Sequence, residues 1–156
     1  DLQIRSAARD WLPMIDWRLY KAQLIQESQL KPGAVSPVGA RGLAQFMPPT
    51  WREWQAFSGT RLGPHDEGQS IQAGAWYMAK QRQIWRAPRP EEDRHNLAMA
   101  SYNGGAGNII KAQKLCGGPP LYEAIMACLP QVTGRHAKET QGYAPAIRRI
   151  YKRLTL

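Results

Sequence analysis

From Trp17 onward the apolar residues of this chain return every three or four positions and nowhere alternate every second one, a period that restricts the fold to packed helices. Trp17, Tyr20 and Leu24 define one stripe, which predicts a helix over about 17–30, ended by Lys31-Pro32-Gly33. After a turn-rich stretch to Gly42, Thr50 and Glu53 have the form of a capping box that opens a short helix at Trp51, closed by Ser58-Gly59. Ile71, Ala75, Met78 and Trp85 mark a longer helix, from near Ser70 to just before Ala87-Pro88. Pro90, followed by Glu91, Glu92 and Asp93, suits the start of a helix that runs to Tyr102, before Gly104-Gly105. Two short helices, about 108–115 and 121–128, lead to a last one striped by Tyr143, Ile147, Ile150 and Leu154, with Pro145 in its first turn. The expected class is all-α, with at most a small ribbon between Val35 and Gly42.

A length of 156 residues, 43% of them hydrophobic, suffices for one real core, so 1–156 is expected to form a single domain. No apolar run approaches the roughly 20 residues that span a bilayer, and the opening Asp1-Leu2-Gln3-Ile4-Arg5 is not a signal peptide. The formal charge of +9 draws the protein toward polyanions: nucleic acid, anionic membranes or bacterial cell wall. Nucleic acid is disfavoured, because the basic residues are scattered and the densest group, Arg148, Arg149, Lys152 and Arg153, reads as a solvated helix face. His65, His95 and His136 have no ligand spacing with the cysteines, so neither metal nor other cofactor is expected. Trp17, Trp76 and Trp85 fit helix stripes and are expected in the core.

Cys116 and Cys128 flank a segment containing Gly117, Gly118, Pro119 and Pro120, whose ends are easily brought together. In an oxidising compartment they form a local disulfide clamp; otherwise they are two small apolar thiols.

Continuing the first stripe by one step places Glu27 or Ser28 where an apolar side chain belongs. A glutamate at a stripe's edge ordinarily points into water. One pressed against apolar neighbours loses hydration in its charged form, holds its proton near neutral pH and can serve as a general acid. Two further segments mix polar groups with glycine. In Gly42-Leu43-Ala44-Gln45-Phe46-Met47-Pro48 a glycine permits close backbone approach and Gln45 brings an amide into apolar company. In Ser101-Tyr102-Asn103-Gly104-Gly105 a phenol and an amide stand at a helix end.

Together these segments resemble the soluble lytic transglycosylases. That family's Glu-Ser pair at a helix end is matched by Glu27-Ser28, and its Gly-Leu-Met-Gln with a following Met-Pro by Gly42 to Pro48, where Ala44 replaces the methionine. Its Ala-Tyr-Asn-Ala/Gly-Gly is matched by Ser101 to Gly105, and its Glu-Thr with a tyrosine three residues on by Glu139-Thr140 and Tyr143. The resemblance implies a lysozyme-like fold and cleavage of peptidoglycan glycan strands. It implies Glu27 as acid and base, with Ser28, Gln45, Tyr102, Asn103 and Tyr143 lining a cleft and Met47 packing beside the sugar.

Glycosidases usually flank the scissile bond with two carboxylates. The family lacks the second, and by that likeness Glu27 protonates the bond between N-acetylmuramic acid and N-acetylglucosamine, then takes the proton of the muramyl 6-hydroxyl as a 1,6-anhydro ring closes. Among Glu53, Asp66, Glu67 and Glu139, only Glu139 is a serious second carboxylate, and with it the enzyme becomes a hydrolase like the goose-type lysozymes. A glycan-binding module without catalysis is the rival of another class. The implied setting is periplasm, cell surface or phage particle, with wall recycling, a secretion machine and phage-driven lysis all open as the use, and a monomer as the expected state.

Overall fold

In the computed structural model, which describes residues 1–156, nine α-helices and one 3-10 turn account for the ordered elements: α1 (Leu2–Trp11), α2 (Trp17–Ser28), α3 (Pro48–Ser58), α4 (Glu67–Ile84), α5 (Glu91–Gly104), α6 (Ala106–Leu115), α7 (Tyr122–Cys128), α8 (Pro130–Thr133), the turn Gly134–His136, and α9 (Ala137–Leu154). No strand forms. The expected ribbon is two isolated bridges, Val35 to Arg41 and Arg41 to Phe46. The chain divides into two compact units, Asp1–Trp76 with Ile147–Leu156, and Tyr77–Ala146.

In the first unit, α1 buries Ile4, Ala7 and Ala8 and packs against α2, which buries Leu19, Tyr20, Ala22, Gln23 and Leu24. Asp16 caps α2 by accepting from the Arg18 amide at 3.0 Å, and the same carboxylate takes the Arg18 guanidinium and the Tyr151 hydroxyl. The hydrogen bond from the Arg18 side chain is the main reason its pKa is held down to about 2. The start of α2 is therefore tied by charge as well as by backbone. An aromatic cluster of Trp54, Phe57 and Trp76 completes this unit, with Trp54 donating to Gln69 at 3.0 Å. Trp76 and the second unit's Trp85 are buried as expected, but Trp17 is only half-buried. The Arg5 guanidinium lies 4.5 Å from its ring, so a cation covers it instead of the core.

In the second unit α5, α6 and α7 pack mutually, with α8 against α6 and α7. Leu97, Met99, Ile109, Ala112, Ile125 and Leu129 fill its interior. The buried Arg82 pairs with Glu91 and meets His95 Nδ1 at 3.1 Å. Cys116 and Cys128 are bonded, closing a separation of 12 residues. Of the two readings open in the sequence, the clamp is the one that forms. Loop-closure entropy assigns it about 3 kcal/mol. Urea unfolding of Cys116→Ser is expected to show a loss of that size, and a reductant to lower the wild type to the same level.

The starts of three helices depart most from expectation. Helix α3 begins at Pro48, not Trp51, with Met47 as its cap and no side-chain capping bond. Proline is pre-set for the first helical turn, so Pro48 and Pro49 start the helix ahead of Thr50, and the Glu53 amide that Thr50 would cap already lies inside it. Helix α4 begins at Glu67, not Ser70, because the Asp66 carboxylate accepts from the Gln69 amide at 2.9 Å. Helix α9 begins at Ala137, which puts Pro145 inside it and not in its first turn. Ala137, Thr140, Tyr143, Ala144 and Ile147 form one continuous buried face across the proline. That burial outweighs the hydrogen bond the proline removes.

Candidate active site

Glu27 stands one residue from the C-terminus of α2. Tyr20, Gln23 and Leu24 precede it at i−7, i−4 and i−3, so it shares the face that enters the core, and it is itself half-buried. The Tyr20 hydroxyl donates to the Ile71 carbonyl of α4 at 2.6 Å. Burial pushes that phenol far above the ordinary tyrosine range, a backbone hydrogen bond with Ala75 opposes the shift, and the charge of Glu27 raises it further. Glu27 is thus close enough to act on a buried phenol. Tyr20 reaches α4 because Gly74 leaves room: a Cβ there would overlap the Tyr20 hydroxyl and lie 2.9 Å from the Ala44 methyl. Ser28 is buried, and its hydroxyl donates to the Leu24 carbonyl at 3.1 Å, within its own helix.

After Ser28 the chain leaves the helix through two consecutive left-handed residues, Gln29 with φ 54° and Leu30 with φ 58°. The only other non-glycine residue with positive φ is Gln45, at 54°. Side chains are disfavoured there, and such positions concentrate where function fixes the backbone. Gln45 donates to the Gly42 carbonyl at 2.9 Å and to the Ala34 carbonyl at 3.3 Å, which tethers the motif to the loop after α2. The Ala44 amide donates to Ser70 Oγ at 3.1 Å. Gly42, at φ 83°, has no room for a side chain, since a Cβ would overlap the Pro64 carbonyl. Met47 is 40% exposed at the cap of α3.

Within the second unit the other two motifs come together. The Thr140 hydroxyl donates to Asn103 Oδ1 at 2.8 Å, joining the end of α5 to α9. Gly104 fits because a Cβ would crowd the Thr140 side chain. The half-buried Tyr102 meets Tyr77 edge to face at 5.4 Å, while Tyr143 is buried. Glu139 is exposed and lines a pocket of about 470 Å³ with Asn103, Asn108, Thr133, His136 and Thr140. Asn108 and Thr133 carried no signal in the sequence beyond their polarity.

The family model described as the transglycosylase SLT domain matches residues 6–122. The chain belongs to that family. Its SLT match stops short of α9, so Glu139, Thr140 and Tyr143 lie beyond it. Among relatives, the chain is 36% identical over 136 residues to the membrane-bound lytic murein transglycosylase F of Shewanella halifaxensis, covering 83% of this chain and 28% of that protein. It is 33% identical over 148 residues to the protein of the same name from Alteromonas mediterranea, covering 92% and 31%. This SLT domain therefore spans less than a third of those relatives. Among solved structures, the 70 kDa soluble lytic transglycosylase of Escherichia coli superposes with a TM-score of 0.67 at 23% identity, over 93% of this chain and 24% of that one. An inactive mutant of lytic transglycosylase Slt from Pseudomonas aeruginosa gives 0.66 at 23% identity, over 95% and 24%. The fold is theirs, all-α and lysozyme-like.

Ser101, which departs from the motif's alanine, has a partner that accounts for it. It is buried, and its hydroxyl accepts the Trp85 indole N–H at 2.8 Å. Ser101→Ala leaves that donor orphaned and is expected to cost about 1–3 kcal/mol in denaturant unfolding.

Proposed function

We propose that this SLT domain is a peptidoglycan lytic transglycosylase working with a single carboxyl group, Glu27. The observation that carries the reading is a half-buried glutamate on the buried face of α2, within the electrostatic reach of Tyr20 and just before the left-handed exit at Gln29 and Leu30. Family membership supports it, as do relatives named lytic murein transglycosylase. Residues 1–156 are taken as one catalytic domain.

Protonated Glu27 donates to the glycosidic oxygen between N-acetylmuramic acid and N-acetylglucosamine, and the bond from the anomeric carbon to that oxygen breaks. The substrate's acetamido group stabilises the positive carbon. Ionised Glu27 then takes the proton of the muramyl 6-hydroxyl, whose oxygen closes on the anomeric carbon, giving a 1,6-anhydro end and restoring the acid. No water is consumed. An internal nucleophile avoids the entropic cost of capturing a second molecule. In this reading Gln45, Tyr102 and Asn103 orient the sugar, and Met47 offers it an exposed apolar surface. Ser28 and Tyr143, both buried, act by holding their neighbours in place.

Glu139 favours one alternative, since it is exposed and lines a polar pocket with Asn103 and Thr140. If it activates water, the products are hydrolytic. Mass spectrometry of muropeptides released from purified peptidoglycan separates the two: anhydro ends, one water lighter than reducing ends, are expected, while reducing ends alone sink the transglycosylase assignment. The bonded cysteines support action in an oxidising compartment, the periplasm or outside the cell. No helix is long and apolar enough to cross a membrane.

A further inference from the structure

A separate concavity, in the first unit, has no part in that chemistry. It measures about 350 Å³; Phe46 and Trp51, whose rings meet edge to face at 5.4 Å, form its floor, with Pro48 and Gln55 beside them. Arg41 and Arg52 border it, both exposed, and neither guanidinium makes an ion pair or a side-chain hydrogen bond. Elsewhere Arg18 and Arg82 do find carboxylates. The prolines at the first two positions of α3 have no N–H to offer an anion, and the two guanidinium groups are the charged donors at this pocket.

Two unengaged planar cations above an aromatic floor suit a particular ligand: a flat, forked anion on a short apolar stem. A carboxylate accepts two parallel N–H bonds from a guanidinium, which an ammonium does not supply. We propose that this pocket binds a free carboxylate on the peptide branches of peptidoglycan, so that the domain reads the peptide as well as the glycan. This rests on the substrate class proposed above. Arg41 lies one residue before the Gly42–Pro48 motif and Phe46 lies within it, so pocket and motif share one loop.

The test titrates the 15N-labelled chain with acetyl-L-alanyl-γ-D-glutamyl-L-lysine and follows the Trp51 indole and the Arg41 and Arg52 Nε signals. Saturable shifts at these groups are expected, with binding at least about tenfold weaker for Arg41→Gln/Arg52→Gln and for the peptide with amidated carboxyls. Shifts confined to other residues, or equal binding by the variant, overturn the proposal. Equal competition by inorganic phosphate overturns it too, since the pocket would then hold any anion. In a parallel assay the wild type is expected to favour peptide-bearing over amidase-stripped strands through KM, and the double variant to lose that preference. A protein that cuts neither strand refutes the proposed activity while the peptide titration stands or falls by itself.

Discussion

Glu27→Gln is expected to fold as the wild type does and to lose cleavage of purified peptidoglycan by at least about 10²-fold. Glutamine keeps the shape of the side chain and its capacity for hydrogen bonds, but it has no proton to give to a leaving oxygen. The residue is half-buried one position from the end of α2, so the change neither opens a cavity nor removes a cap. Thermal unfolding checks the fold and muropeptide release checks the activity; turnover retained in a folded variant rejects Glu27 as the acid.

Gly42→Ala is expected to destabilise the domain by about 3 kcal/mol or more. Two costs combine. The backbone at φ 83° disfavours any side chain, and the new methyl would overlap the Pro64 carbonyl and crowd Ser70 Oγ, which holds the Ala44 amide. Gly39→Ala separates them, because Gly39 has φ 93° with nothing within 4 Å of its Cβ, so it carries the backbone cost alone, about 1–2 kcal/mol. Urea midpoints for the two variants give the difference. Equal losses would mean that the Pro64 contact carries no weight.

The helices that the sequence made legible are those whose buried faces hold large apolar residues. Helix α5 runs where the acids after Pro90 and the glycines at its end place it. Helix α1 was missed: its buried face is Ile4, Ala7 and Ala8, and two alanines add little to an apolar period. The start of α9 was hidden by Pro145, which marks a first turn by local rules and is overruled by packing from Ala137 to Ile147. At the candidate site, Glu27 was legible as a carboxylate out of pattern on an apolar face. The left-handed Gln45 and the bond between Asn103 and Thr140 were not, because neither local period nor composition encodes a dihedral angle or a contact across 37 positions.

Because bare backbone at Gly74 receives the Tyr20 hydroxyl beside the Ala44 methyl, positions 20, 44 and 74 are constrained to drift as a set. A methyl at 74 evicts the phenol; a phenylalanine at 20 leaves its slot without a donor. Exchanging α2 or α4 for a segment that differs at 20 or 74 therefore breaks the fit unless the three residues change together, an epistasis that an inventory of catalytic groups overlooks.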